Sequence, residues 1–423
     1  MASPTGDSYV CPPGGVIAAG RHRFAGARVI VAGDSLTDSG PSWGGGGYLW
    51  GLALARSPVL VSRNAGIAGN NIGQLAGRWA ADVAAYSPAA VMTRIGTNDV
   101  ESGSTTTITA FGAAYQPIID WHLTNGIPGI IHAIPPESGT PGAAIVARND
   151  WLAAQCAAHS SLLKFANDST DLGDAGYAYQ SQYYADGTHL NGYGRRKQGE
   201  RMAPILSALF GNAECRLLDP TDNTLTNPAS NQHVKNPHMA GTSGTVGAGF
   251  TGTAPTAWSL SRSGGGTAQC SIVAADPGDP VQVPWLRVTP QTAAAGEQFT
   301  VSSLLQHPAY DTTLSSLTRL DLTAEVRFNS LDASKFTQLN SGVVDGTYVP
   351  SDWHILYMGY PQTLNEAVIV RQGLPRDNVF WSDVAHAANS LTVKFLLTAS
   401  ASGFTSSPGS FDIRCVSVRG LQD

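Results

Sequence analysis

Four short polar segments carry the residues of this chain that could do chemistry. Residues 33–36 (Gly-Asp-Ser-Leu) follow the apolar run 28–32, and residues 64–70 (Asn-Ala-Gly-Ile-Ala-Gly-Asn) follow a second apolar run. Residues 96–99 (Gly-Thr-Asn-Asp) follow a third run, and residues 186–189 (Asp-Gly-Thr-His) precede a helix-like stretch. In open parallel sheets, ligands bind and reactions occur outside the carboxyl ends of the strands. The segments therefore predict a single site at one edge of a sheet.

Ser35 is the candidate nucleophile of this site. A serine hydroxyl is a poor nucleophile unless a neighbouring base removes its proton. His189 can be that base, because the pKa of an imidazole lies close to neutrality. Asp186 lies three residues before His189, so one loop can bring its carboxylate to the other ring nitrogen. That contact would fix the tautomer and stabilise the imidazolium, and the three residues predict acyl transfer by a Ser-His-Asp triad.

A second Gly-Asp-Ser sequence, at residues 6–8, is a decoy. No apolar strand-like run precedes it, and residues 12–15 (Pro-Pro-Gly-Gly) follow it. We therefore interpret residues 1–27 as a polar N-terminal extension and Ser35 as the reactive serine.

The elements that must position the site alternate between strand and helix patterns as far as about residue 210. The predicted strands are 29–32, 59–61, 90–95, 129–134 and 162–165, and the predicted helices are 49–55, 72–86, 111–123, 143–158 and 193–210. In the second helix, Leu75, Trp79, Val83 and Tyr86 recur at helical spacing. Alternating strands and helices predict a parallel sheet that is covered on both faces.

The residue composition and the polarity pattern of the chain change after Phe210. Residues 220–252 are rich in Thr, Asn, Gly, Pro and Ser, and beyond residue 257 short runs of alternating polarity are separated by turn residues. This pattern predicts an all-β antiparallel sandwich of jelly-roll type. The predicted organisation is an extension at 1–27, an α/β domain at 28–212, a linker with the start of the second domain at 213–255, and the sandwich at 256–423.

The four polar segments, in this order and each on the expected element, resemble the GDSL or SGNH hydrolase family, whose sequence blocks contribute Ser, Gly, Asn and His. The resemblance covers about residues 28–210 and implies a three-layer α/β/α esterase domain. It also implies an oxyanion hole formed by the backbone N–H groups of Ser35 and Gly69 and the side-chain amide of Asn98. Gly66 is an alternative to Gly69, although Gly69 fits the family spacing better.

Two further residues of the first domain could contact substrate. Trp43 lies in the glycine-rich stretch 39–47, which could form a rim over the acyl pocket or be a plain surface loop. His132 ends a strand at the same edge of the sheet and could touch substrate or pack in the core. Asp34 and Asp99 are expected to brace their loops.

The second domain resembles, more loosely, the carbohydrate-binding β-sandwiches attached to glycan-active enzymes and phage tail proteins. Residues 236–241 with the Gly/Thr run, followed by Trp258, are similar to the start of such modules. Several aromatic residues could form a stacking platform for sugar rings or could fill the core of the sandwich. They are Trp285, Tyr348, Trp353, Tyr357, Tyr360 and Trp381.

Charge and cysteine content argue against several classes of protein. A net charge of −6 does not favour binding to nucleic acid or to an anionic membrane surface. The sequence contains no long apolar stretch, so we do not expect insertion into a membrane. The five cysteines show no metal-ligand spacing, so we expect neither a metal nor another cofactor. Cys156 is expected to be a buried thiol, and Cys270 and Cys415 could be buried thiols or form a bridge.

The expected function is that of a serine esterase which removes small acyl groups, above all acetyl, from a polysaccharide. The alternatives are a lipase, thioesterase or arylesterase with the same machinery, or a glycan receptor-binding tail protein whose hydrolase domain is mainly scaffold. The first residues lack the basic and apolar regions of a signal peptide. Together with the sugar-binding resemblance, this leads us to expect a phage tail protein or a protein that acts extracellularly after release. The oligomeric state stays open, and a trimer would suit a tail protein.

Overall fold

The structure, a computed structural model, describes residues 28–38, 46–101, 104–174, 177–211, 234, 236–279, 282–304, 319–345, 354–375 and 391–421. The first half of this described chain forms a five-stranded parallel sheet with helices, and the second half forms two six-stranded sheets. No helix in these ranges is both long enough and apolar enough to cross a membrane.

The α/β domain has its strands in the order β2-β1-β3-β4-β5, all parallel. The strands are β1 (Arg28–Gly33), β2 (Leu60–Gly66), β3 (Ala90–Arg94), β4 (Gly129–His132) and β5 (Leu163–Ala166). The helices are α1 (Gly46–Leu54), α2 (Ile72–Asp82), α3 (Thr97–Val100), α4 (Ile108–Asn125), α5 (Gly142–Ala158), α6 (Ser169–Leu172) and α7 (Gly192–Phe210). From β1 the chain adds β2 on one side of the sheet and then β3, β4 and β5 on the other side. Open sheets of this kind bind their ligands in the crevice between the two strands where the order changes direction, which here are β1 and β3.

Burial on both faces explains why the strands are apolar throughout. In β1, Val29 and Val31 pack on the side of α1 and α7, whereas Ile30 and Ala32 pack on the side of α2, α4 and α5. Successive side chains of a strand point to opposite faces, and both faces here are covered by helices. The three-layer α/β/α architecture predicted from the alternating pattern is confirmed.

The second half of the described chain is a β-sandwich, as predicted, in which most strand pairs are antiparallel. One sheet has the order β15-β12-β17-β10-β9-β7 and the other has the order β14-β13-β16-β11-β8-β6. The strands are β6 (Thr245–Val246), β7 (Phe250–Gly252), β8 (Trp258–Arg262), β9 (Thr267–Val273), β10 (Trp285–Thr292), β11 (Gln298–Leu304), β12 (Arg319–Asp332), β13 (Phe336–Asp345), β14 (His354–Tyr357), β15 (Thr363–Pro375), β16 (Leu391–Ala399) and β17 (Ser410–Leu421).

Some boundaries differ from the sequence expectation. Strands β6 and β7 lie within 213–255, so this segment already supplies two strands of the sandwich. Helix α2 ends at Asp82 and is followed by a short 3-10 turn at Ala84–Tyr86, so it is shorter than the predicted helix 72–86. Cys156, Cys270 and Cys415 are all buried free thiols.

The two halves of the chain meet through helices α1 and α7. Strands β14 and β15 are the end strands of their respective sheets, and α1 contacts both of them. The core of the sandwich includes Trp50 and Ala53 of α1 among its buried residues. The helices of the α/β domain therefore cover the open edge of the sandwich, where two end strands would otherwise leave the core exposed.

Candidate active site

Ser35 lies just beyond the tip of β1, two residues after the strand ends at Gly33. A Cβ atom at Gly33 would lie 1.8 Å from the carbonyl oxygen of Arg94, so only glycine allows β1 and β3 to approach this closely. The N–H of Asp34 donates to that same oxygen at 3.2 Å, and Asp34 Oδ1 accepts from the N–H of Leu36 at 3.0 Å. Asp34 thus braces the turn that presents the Ser35 side chain.

The structure brings Ser35, His189 and Asp186 into one hydrogen-bonded row. The Nε2 atom of His189 lies 3.0 Å from Ser35 Oγ, and its Nδ1 atom lies 2.9 Å from Asp186 Oδ2. A neutral imidazole that donates from Nδ1 to a carboxylate presents its Nε2 lone pair to the serine hydroxyl. This is the arrangement that a serine nucleophile needs.

The loop that carries Asp186 and His189 is held by its own hydrogen bonds. Asp186 Oδ1 accepts from the N–H groups of Thr188 and His189, each at 2.7 Å. Burial raises the pKa of Asp186, whereas the hydrogen bonds from these two N–H groups and from the imidazole lower it by more. As a result, the pKa of Asp186 lies below the usual range of an aspartate. Asp186 is therefore ionised near neutral pH.

The segment that follows β4 also holds this loop. Thr188 Oγ1 donates to Glu137 Oε1 at 2.6 Å, and the N–H of Ser138 donates to the carbonyl of Gly187 at 2.9 Å. Tyr179 adds a hydrogen bond from its hydroxyl to the carbonyl of Asp186 at 2.8 Å. Burial raises the pKa of Glu137, although the Thr188 hydroxyl opposes the shift.

The backbone N–H groups of Ser35 and Gly69, the predicted oxyanion donors, have no acceptor among the described residues. Gly69 has φ of +77°, a conformation that favours glycine, and open space surrounds the position of its missing Cβ. The N–H of Gly66, the alternative donor, is bound to Asn64 Oδ1 at 2.8 Å, which favours Gly69.

Asn98 lies in α3, beside the loop that carries Gly69. Its Nδ2 atom donates to the carbonyl of Asn70 at 2.8 Å, which leaves the second N–H of the amide for another partner. Asp99, the next residue, is buried and accepts the N–H of Ile72 through Oδ2 at 2.9 Å. Asp99 therefore joins α3 to the start of α2, and braces its loop as expected.

A buried polar cluster lies below the site at the ends of β3, β4 and β5. Arg94 pairs with Asp168, and His132 Nδ1 lies 3.9 Å from Asp168 Oδ2. The His132 side chain is 1% exposed, which favours the second of the two predicted alternatives, packing in the core, over contact with substrate. Burial, together with the Arg94 charge, lowers the pKa of His132 well below its usual range, so the ring is neutral and packed.

Sequence reasoning missed the residues that support these loops. Asn64 donates from Nδ2 to the carbonyl of Thr37 at 2.7 Å, and the Tyr48 hydroxyl donates to the same carbonyl at 2.5 Å. Glu137 and Asp168 were also not predicted, because neither residue lies in one of the four polar segments. Their signal in the sequence was their position just beyond a predicted strand, as for Glu137 after 129–134 and Asp168 after 162–165.

The aromatic residues proposed as a sugar platform have other partners where the structure describes them. Trp285 is buried, with the guanidinium of Arg327 4.3 Å and that of Arg414 4.0 Å from its ring centroid. The rings of Tyr357 and Tyr360 contact Arg195 and Tyr193 of helix α7 in the α/β domain. The remaining platform candidates, Tyr348, Trp353 and Trp381, lie outside the described residues, and so does Trp43, the residue predicted at the rim of the acyl pocket.

The sheet order and the helices on both faces define the class of domain, a three-layer α/β/α domain with a serine just beyond the carboxyl end of β1. The sequence model of the GDSL-like lipase/acylhydrolase family matches residues 31–197, a stretch that holds the end of β1, the whole of β2 to β5 and all four polar segments. The α/β domain of this chain belongs to that family and is a hydrolase of the esterase type.

Solved structures of such enzymes are similar to part of the chain. A catalytic mutant of an acetylxylan esterase from Geobacillus stearothermophilus is 19% identical over 45% of this chain and 98% of that chain, with a TM-score of 0.38. A GDSL-like lipase from Bacteroides thetaiotaomicron is 21% identical, covering 43% of this chain and 88% of its own, with a TM-score of 0.35. At these TM-scores, the family assignment rests on the sequence match. No curated protein matches the chain.

Proposed function

We propose that this protein is a serine esterase in which Ser35 is the nucleophile, His189 the general base and acid, and Asp186 the residue that orients His189. The observation that carries the proposal is the 3.0 Å contact between His189 Nε2 and Ser35 Oγ. A nucleophile and a base within hydrogen-bond reach, with the base held by a third group, are what covalent acyl transfer requires.

In the proposed mechanism, Ser35 Oγ attacks the ester carbonyl carbon while His189 Nε2 accepts the hydroxyl proton. The carbonyl oxygen becomes an oxyanion, which the N–H groups of Ser35 and Gly69 and the second N–H of the Asn98 amide would bind. His189 then gives its proton to the departing alcohol oxygen, which leaves an acyl-enzyme. Water attacks the acyl carbon while His189 Nε2 accepts one of its protons, and His189 returns that proton to Ser35 Oγ as the bond between Oγ and the acyl carbon breaks and the acid is released.

The substrate we propose is a small acyl ester, O-acetyl above all, on a polysaccharide. The side chains of His189 and Asp186 are 17% and 42% exposed, so this side of the site is open to solvent and has room for a bulky alcohol group. Among the described residues of the four polar segments, Ile67 is the one exposed large hydrophobic residue. These loops therefore offer little apolar surface to a long acyl chain, which favours a short acyl group.

The experiment is the release of acetate from a panel of O-acetylated bacterial polysaccharides, measured for the wild type and for Ser35→Ala. The variant should lose several orders of magnitude in turnover, down to the level that the oxyanion hole alone supports. Ser8→Ala, in the decoy sequence, is the matched control and should keep full activity. Near-native hydrolysis by Ser35→Ala would overturn the proposal.

Two further outcomes would each favour a different function. A strong preference for a long-chain p-nitrophenyl ester over p-nitrophenyl acetate would favour a lipase. Glycan binding by folded protein, without acetate release and without fluorophosphonate labelling of Ser35, would favour a receptor-binding protein.

A further inference from the structure

Helix α1 of the α/β domain contributes Trp50 and Ala53 to the hydrophobic core of the sandwich. Trp50 of α1 is fully buried, with its ring centroid 6.3 Å from that of Phe328, and its Nε1 atom donates to the carbonyl of Tyr357 at 2.9 Å. A buried tryptophan that also satisfies its N–H is a specific contact between the two parts of the chain. The sandwich is therefore packed against the hydrolase and is not a separately tethered module.

Helix α7 supplies the charged part of this interface. The Arg196 guanidinium binds both carboxylate oxygens of Glu366, at 2.6 and 2.7 Å, and lies 4.5 Å from the ring centroid of Trp50. Arg195 lies over the ring of Tyr357 at 4.0 Å. A bidentate arginine–carboxylate pair fixes both distance and angle, so the orientation of α7 is tied to the edge of the sandwich.

The contact is tightest at the first turn of α7. A Cβ atom at Gly192 would lie 2.0 Å from the carbonyl oxygen of Met358. Tyr193 stacks on Tyr360, with ring centroids 5.4 Å apart and ring planes at 16°. The sandwich therefore touches the helix at its first two residues.

This first turn is also the anchor of the loop that carries His189. Asn191 caps α7, because its Oδ1 atom accepts from the N–H groups of Tyr193 and Gly194 at 2.8 and 3.1 Å. The N–H of Asn191 donates to the carbonyl of Tyr183 at 3.0 Å, which closes the loop. His189 lies two residues before this cap, so a shift of the first turn would be transmitted to the imidazole.

We propose that the sandwich positions the His189 loop by holding the first turn of α7, with Gly192, Tyr193 and Tyr360 as the positioning residues. The inference rests on the proposed function, because it takes His189 as the base for Ser35. It makes the sandwich part of the catalytic apparatus, in addition to any substrate that it binds.

The first test is Gly192→Ala in the full chain. Alanine at the first position of a helix is favourable by itself, so a loss of activity would come from the new contact with Met358. Gly77→Ala is the matched control, since Gly77 lies in α2 with open space around its missing Cβ. We expect Gly192→Ala to lower kcat for p-nitrophenyl acetate by roughly ten- to a hundredfold with KM within about twofold, because small displacements of a catalytic group cost this much.

The second test replaces Tyr360 by smaller residues, so it introduces no steric overlap. Among the described residues, the Tyr360 hydroxyl has no hydrogen-bond partner, so Tyr360→Phe keeps the stacked pair and should keep kcat. Tyr360→Leu removes the stacking and should lower kcat in the same way as Gly192→Ala. The NMR signal of His189 Hε1 should move in Gly192→Ala and Tyr360→Leu, and stay in place in Gly77→Ala and Tyr360→Phe.

The outcomes separate this inference from the proposed function. Wild-type protein without Ser35-dependent ester hydrolysis would overturn the function, and the His189 signal would still report on the positioning. Active wild type with unchanged kcat and an unchanged His189 signal in folded Gly192→Ala and Tyr360→Leu would overturn the inference. Folding is checked by circular dichroism, and a lower Tm with wild-type kcat would also count against positioning.

Discussion

At the scale of single residues, the proposed role of the Asn98 amide as an oxyanion donor can be tested directly. Its amide already donates one N–H to the Asn70 carbonyl, and this bond holds the amide in place before substrate arrives. Donors that are oriented in advance stabilise the charge that develops in the transition state without reorganising. The contribution of Asn98 should therefore appear in kcat.

We expect Asn98→Ala to lower kcat by about 10²- to 10³-fold, the usual cost of one lost oxyanion donor. Asn70→Ala is the control, because it removes a neighbouring side-chain amide and leaves the backbone carbonyl that Asn98 uses. Steady-state kinetics on p-nitrophenyl acetate measure both variants. Equal rates for Asn98→Ala and Asn70→Ala would remove Asn98 from the oxyanion hole.

Asp34 carries a pH dependence of stability. Burial raises its pKa from 3.8 to about 6, while the N–H of Leu36 and the charge of Arg94 oppose the shift. The folded protein therefore holds this proton more tightly than the unfolded chain does. The resulting stability is fully present below pH 4 and is lost as the pH rises through about 6.

Asp34→Asn removes this titration and keeps an Oδ1 acceptor for Leu36. Relative to the variant, the wild type should lose about 3 kcal/mol of unfolding free energy between pH 4 and pH 7, at about 1.4 kcal/mol for each pKa unit. Urea unfolding at a series of pH values measures the difference. A difference that stays constant across this range would show that Asp34 does not titrate as proposed.

At the scale of elements, local patterns were enough to predict the sheet and the loops of the site. Strand β1 is apolar because helices cover both of its faces, and the glycine at its end lets β3 approach. Each requirement determines the residue types at a few neighbouring positions, so it can be recognised in the sequence. The same holds for the cap of α2, where Asn71 and Gln74 form a capping box.

Features that depend on distant parts of the chain could not be predicted in this way. His132 was placed correctly at the end of a strand, but its burial beside Asp168 depends on how β4 and β5 pair. Trp50 has the pattern of any buried helical residue, and nothing near it marks the carbonyl of Tyr357 as its partner. The aromatic residues of the second domain were ambiguous because core, interface and ligand platform use the same residue types.

At the scale of the whole molecule, the interface decides how the protein unfolds. Edge strands of a sandwich expose unpaired backbone groups and apolar side chains unless another element covers them. Here α1 and α7 provide that cover, and Trp50 and Ala53 belong to the sandwich core. Separation of the two parts would expose both surfaces to water, so each part stabilises the other.

We therefore expect the α/β domain and the sandwich to unfold in a single cooperative transition, followed by near-UV and far-UV circular dichroism in urea. Trp50→Ala should lower the stability of the whole molecule by about 3–5 kcal/mol, because it leaves a large cavity between the two parts. Ile108→Ala, at a position 37% exposed at the start of α4, is the control and should change stability by less than about 0.5 kcal/mol. Two separate wild-type transitions, or a Trp50→Ala effect confined to one of them, would mean that the sandwich folds independently of the hydrolase.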